Sequence, residues 1–308
     1  ISEATTEWHK QRIVTRNLPL RTTFDPVHTG AGSVVYLMDS GVDQGHPELS
    51  GKTFLPVYTV ADGDFNALIE GGGVATNYNT SDTHGHGTAM ASLIHGATYG
   101  VAGDAKIGIV KISDPTVDGG AIKLVNVLNA MKSIYAFDRL TDTIVNAPTV
   151  CMAWNFPKSQ LLDRYVGWMH DWAGFLMVAA AGNAGGDVDT FSPGGLNSIL
   201  TVGASDSSDN VPAFSNDAGA VVEQGSGLQT NGGEEVDVFA PGVGVNYADV
   251  SNRVEVGDYT GVTGNDLKAT GSGTSISCAI VAGIGALVAE RYGSGKATAN
   301  AMKEFITE

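Results

Sequence analysis

The chain has 308 residues, 43% of them hydrophobic, enough for a sizeable core in one large α/β domain. It carries 17 Lys+Arg against 33 Asp+Glu, a formal charge of −16 and a pI of about 4.6, and a surface that acidic excludes nucleic-acid backbones and anionic membrane surfaces as partners. Two cysteines, Cys151 and Cys278, can build neither a disulfide framework nor a four-ligand zinc site and read as buried free thiols.

Short apolar runs in chain order read as strands buried on both faces: Val34–Met38, Ile107–Ile112, Thr149–Ala153, Leu176–Ala181, Ile199–Val202 and Val236–Phe239. Between them lie stretches with helical spacing: His86–His95, Ala121–Phe137, Gln160–Ala173 and the almost wholly apolar Ser275–Arg291. Strands alternating with helices predict a three-layer α/β fold, a mostly parallel sheet with helices on both faces. No composition break or internal repeat divides residues 1–308, so a single domain is expected. No run of about 18 apolar residues suggests a membrane span. Ile1 opens no signal peptide, so the chain reads as a processed or trimmed form.

Three segments carry candidate chemistry. V-Y-L-M-D-S-G-V-D-Q-G-H-P-E-L (Val35–Leu49) puts Asp39 at the end of a strand, at the edge of the core. There a carboxylate can hold an imidazole in one tautomer and stabilise its protonated form. D-T-H-G-H-G-T-A-M-A-S (Asp82–Ser92) offers His84 and His86, and G-S-G-T-S-I-S-C-A-I-V-A-G (Gly271–Gly283) places Ser275 at a helix start among small residues. Small residues let a substrate backbone approach, and the helix dipole lies beneath the serine. Each segment alone has a plainer reading: a turn after a strand, a metal-binding histidine pair, an N-cap. The order Asp, His, Ser, each at the end of an element, joins them into one constellation.

These segments resemble the three active-site signatures of the subtilisin-like serine peptidases, the subtilases, and V-A-A-A-G-N-A-G (Val178–Gly185) resembles that family's oxyanion-hole motif. The resemblance covers most of the chain and leans to the proteinase K branch through R-N-L-P-L (16–20), T-G-A-G (29–32), T-Y-G-V-A (98–102), T-V-G-A-S-D (201–206), F-S-N (214–216) and D-V-F-A-P-G (237–242). It implies Asp39 as the orienting acid, His86 as the general base and acid, Ser275 as the nucleophile and Asn183 as oxyanion donor. His86 is preferred to His84 because Gly87-Thr88 follows it directly. No cofactor for catalysis is implied. The family implies a secreted, monomeric endopeptidase that acts on proteins or peptides and matures with a propeptide.

The family's substrate binds as an added strand. The matching edges are Asp118, Gly119 and Gly120 on one side and Ala153, Trp154 and Asn155 on the other, with Gly182 in the pocket for the residue before the cleaved bond. Asn155 stands where the family usually has glycine, which predicts a narrowed or more polar first pocket. A family calcium site of two carbonyls and one aspartate maps to Asn197, Ile199 and Asp237. Ala89 and Ala279 replace a second histidine and a proline of the family, with little rate loss expected. Insertions are expected near 58–81, 217–235 and 243–269.

Overall fold

The computed structural model describes residues 3–60, 78–141, 146–211, 232–250, 267–293 and 299–308. Most of each expected insertion, including the F-S-N motif at 214–216, lies outside the described residues. Seven strands form one all-parallel sheet: β1 (Val34–Asp39), β2 (Phe54–Thr59), β3 (Lys106–Lys111), β4 (Thr149–Met152), β5 (Leu176–Ala180), β6 (Leu200–Ser205) and β7 (Val238–Pro241). Their order across the sheet is β7-β6-β5-β4-β1-β3-β2. The expected three-layer α/β architecture is thus present. Val35 pairs with Ile107 on one side of β1 and with Thr149 on the other. Strand order reverses beside β1, and in open parallel sheets the crevice at such a switch point is where ligands bind.

Successive residues of β1 face opposite layers, as the two-residue period of a strand demands. Val35 and Leu37 join one core with α2 (His86–His95) and α5 (Thr274–Tyr292). Val34, Tyr36 and Met38 join the other with α3 (Leu124–Leu140) and α4 (Gln160–Asp171). Each such aliphatic side chain, fully buried, contributes roughly 1.5–3 kcal/mol. Two further helices, α1 (Trp8–Ile13) and α6 (Ala299–Thr307), flank the first layer, and a hairpin pairs β8 (Val245–Ala248) with β9 (Lys268–Gly271).

Helix α5 is long and apolar enough to cross a membrane by length and composition. The sequence reading passed over it because Ser, Gly and Glu interrupt its apolar run. Its apolar faces are instead satisfied inside the protein, where Ile276, Ile280, Val281 and Ala286 are buried. Cys278 of α5 and Cys151 of β4 sit as free, buried thiols with Sγ atoms 3.8 Å apart.

Candidate active site

Asp39 ends β1 with its carboxylate buried, and Oδ1 accepts a hydrogen bond from Ser40 N at 2.8 Å. Both carboxylate oxygens lie 2.8 Å from His86 Nδ1. His86 is the first residue of α2, and the glycine after it sets this approach. A Cβ on Gly87 would stand 2.0 Å from the carbonyl oxygen of Gly41 and 3.2 Å from Asp39 Cβ. Only a residue without a side chain lets the helix start abut the end of β1.

Asp82 organises the turn before α2. Its Oδ1 accepts from Ser40 Oγ and from the His84 and Gly85 amides, all at 2.9 Å. Its Oδ2 accepts from Thr88 N at 2.9 Å and Thr88 Oγ1 at 2.6 Å, capping the first turn of the helix. Ser40 Oγ in turn accepts from Gly87 N at 3.0 Å. Sequence reading took Asp82 only as the first letter of its motif. The signal that could have found it is an aspartate six residues before a threonine in the first helical turn.

Burial works against a charged His86 imidazole. Asp39, through its charge and its hydrogen bond, and then Asp82 outweigh that effect and hold the His86 pKa above its ordinary value. The group is thus poised to take up a proton and keep it while a reaction proceeds.

Ser275 is the second residue of α5, and its hydroxyl donates to the Ala153 carbonyl at 2.9 Å. The residue before it links the serine to Asn183. Thr274 N and Thr274 Oγ1 donate to Asn183 Oδ1 at 2.9 and 3.0 Å, and Gly182 N donates to Thr274 Oγ1 at 3.0 Å. With its oxygen engaged, the exposed Asn183 amide presents its NH₂ group outward beside Gly273. A cleft lined by Asp39, His84, His86, Gly120, Ala153 and Trp154 opens beside the Asp39–His86 pair, and Ser275 is bonded to its wall through Ala153 O. Trp154 Nε1 donates to Met38 O at 3.0 Å and ties one wall of the cleft to the end of β1.

The first expected substrate edge is not a strand. Asp118–Gly120 is not extended: Pro115–Asp118 makes a single helical turn, and Gly119 and Gly120 follow with φ of 71° and 79°. The local sequence explains this. Asp114 accepts from Thr116 N at 2.8 Å and Pro115 follows it, a preferred start for a helical turn. Across the cleft, the Asn155 amide can be oriented so that all its polar atoms are paired. Its nitrogen then donates to Ala180 O at 3.0 Å and Trp154 O at 3.2 Å, and its oxygen accepts from Gly182 N at 3.3 Å. Asn155 thus spans the gap between the segment that continues β4 and the one that continues β5.

The calcium expectation needs correction. Asn197, Ile199 and Asp237 do converge, but on the ammonium of Lys303. Lys303 Nζ lies 2.8 Å from Asn197 O, 2.5 Å from Ile199 O and 2.8 Å from Asp237 Oδ1. A calcium ion needs six to eight oxygens at about 2.3–2.6 Å. Here a cation already stands at the focus of the three oxygens, so these residues do not fit a resident metal.

A model of the subtilase family (Peptidase_S8) matches residues 30–308 of this chain. The chain is 30% identical over 268 residues to a cuticle-degrading serine protease of Arthrobotrys oligospora, covering 87% of this chain and 54% of that protein. It is 30% identical over 285 residues to an extracellular serine proteinase of Thermus sp., covering 92% and 57%. It is also 33% identical over 229 residues to the subtilisin-like proteinase Mp1 of Magnaporthiopsis poae, covering 73% and 48%. The chain therefore spans about half the length of the curated relatives it matches. Among solved structures, a cold-adapted subtilisin-like serine proteinase superposes with a TM-score of 0.73 at 25% identity, covering 97% of this chain and 90% of that one.

Proposed function

The chain belongs to the subtilase family, and from that premise we propose that it is a serine endopeptidase acting through an acyl-enzyme on Ser275. The observation that carries the proposal is the Asp39–His86 pair, with Nδ1 2.8 Å from both carboxylate oxygens, lining a cleft with Ala153, whose carbonyl accepts the Ser275 hydroxyl at 2.9 Å. In this reading the Ser275 hydroxyl, which donates to Ala153 O here, transfers its bond to His86 when substrate binds. Catalytic hydrogen bonds often align only once substrate is bound.

In this reading Ser275 Oγ attacks the peptide carbonyl and passes its proton to His86 Nε2. Asp39 holds the Nδ1–H tautomer and stabilises the imidazolium. The carbonyl electrons move onto oxygen, where Asn183 Nδ2 and the Ser275 backbone N–H receive the charge. His86 then returns its proton to the leaving amine. Water, deprotonated by His86, cleaves the acyl-enzyme and restores the serine.

The bridge made by Asn155 narrows the pocket for the residue before the cleaved bond, and small residues there are favoured. Several further features belong to the same proposal: residues 1–308 as one peptidase domain, a monomeric secreted enzyme, protein or peptide substrates, and maturation with a propeptide. The names of relatives, extracellular among them, support secretion. Digestion of casein and of a peptide library tests the reading. We expect casein to be degraded by the parent and not by Ser275→Ala, with small residues enriched before the cut. Casein turnover by Ser275→Ala would overturn the mechanism, and a preference for large aromatics would overturn the pocket assignment.

A further inference from the structure

Lys303 projects from α6, whose Met302 is buried against the molecule. Its ammonium has three N–H donors, and three oxygens receive them: the carbonyls of Asn197 and Ile199 and the Asp237 carboxylate. These oxygens come from a turn and from a loop distant in sequence. Asn197 and Ile199 precede β6, and Asp237 precedes β7. The free carboxylate oxygen is also used, since Asp237 Oδ2 accepts from Thr201 N at 2.8 Å. Lys303 and Asp237 are largely withdrawn from solvent, with side chains 17% and 19% exposed. Two peptide carbonyls and a carboxylate directed at one point form a cation site by their chemistry, for which an oxygen-seeking ion is the ordinary occupant. The geometry points to a covalently tethered cation in its place. We propose that the Lys303 ammonium is the resident cation of a three-oxygen site, binding β6, β7 and α6 together without dissolved metal, and that removing it converts the site into one for a divalent cation.

Differential scanning calorimetry on the full chain tests this, in a Ser275→Ala background that prevents self-digestion. Lys303→Ala in EDTA should lower Tm by about 5 °C or more, given how Tm responds to a few kcal/mol in a domain of this size. Millimolar calcium should then recover at least half of that loss, beyond any response of the Lys303-containing chain. Lys303→Met, which fills the space without a charge, should lose Tm and recover less. An unchanged Tm in Lys303→Ala would overturn the proposal. So would a calcium response equal to that of the Lys303 chain, since a merely packing role predicts loss without rescue. If Lys303→Ala does not fold under any condition, hydrogen exchange on the Lys303 chain decides. The amides of 197–201 should be equally protected in EDTA and in calcium, and protection that rises with calcium would sink the idea.

Discussion

Two clusters of charge sit at different places in this molecule, built from similar parts with opposite consequences. At the end of β1, Asp39 and Asp82 surround an imidazole that can gain and lose a proton. Before β6 and β7, Asp237 and two carbonyls surround an ammonium whose donors are all engaged. The first opens on a cleft and the second closes on itself. The contrast teaches that a carboxylate–cation pair is catalytic or structural according to what the cation can still do once paired. Histidine beside Asp39 can still gain and lose a proton, whereas lysine beside Asp237 has all three of its donors engaged.

Substitutions should therefore separate activity from stability. The largest effect is expected for Asp39→Asn, where the imidazole loses the partner that fixes its tautomer. We expect kcat to fall by about 10⁴-fold, while Lys303→Ala moves Tm and leaves kcat at permissive temperature near that of the parent. Steady-state assays beside melting curves would show this crossing, and a Lys303 variant as inactive as Asp39→Asn would break the comparison. Next comes Asn183→Ala. The expected loss is about 10²–10³ in kcat with KM little changed, the range the corresponding donor of subtilisin sets. A pure KM effect would assign Asn183 to substrate binding instead.

Asp82→Asn is subtler and sharpens the electrostatic half of the comparison. His86 must be neutral to accept the Ser275 proton, so kcat/KM falls as pH drops through its pKa. Asp82 helps to raise that pKa, and the amide should move the acid limb of the profile to lower pH. A fall in maximal rate of about tenfold should accompany it as the cap weakens. An acid limb that stays put would show that Asp82 acts only by positioning.

Smallest at neutral pH, but decisive in acid, is the behaviour of the buried histidines without a carboxylate partner. Burial lowers the pKa of His9 and of His95 from 6.5 to about 4 against the opposing effect of a backbone carbonyl, Tyr99 O and Ala105 O respectively. The second ring nitrogen of each finds no partner among the described residues, so protonation would bury an unpaired donor. Because the unfolded chain binds these protons first, stability present above pH 6.5 is lost as pH falls toward 4. The loss is on the order of several kcal/mol for the pair. Melting curves against pH should show it, and His95→Gln should flatten the slope if the accounting is right.

How much of this was legible in the sequence varies by region. Asp39, His86 and Ser275 stood out because each closes or opens an element, and Asn183 through its motif's resemblance to the family; the structure pairs Asp39 with His86 and ties Asn183 to Thr274, the residue before Ser275. The strands β1, β3, β4 and β5 were readable as apolar runs because they are buried on both faces. Strand β2 was missed: Pro56 interrupts it, and proline is tolerated there because it is an edge strand whose register shifts at that residue. Helix α3 begins three residues later than its apolar pattern indicated, at Leu124, with Lys123 as an N-cap that makes no side-chain bond. Helix α1 was missed because it is short and carries only Trp8 and Ile13 as apolar residues, and α6 because it is only nine residues long. Missing α6 concealed Lys303, so the oxygens of Asn197, Ile199 and Asp237 read as a metal site. A ligand set can be read from local spacing, but a side chain arriving from the far end of the chain cannot.

The central claim, that Ser275 is a nucleophile activated by His86, is tested most directly by labelling with a fluorophosphonate and locating the adduct by peptide mass spectrometry. The account predicts one adduct on Ser275, formed in the parent and greatly slowed in Asp39→Asn. An intact, folded parent that leaves Ser275 unmodified, or carries the adduct on another residue, would contradict it.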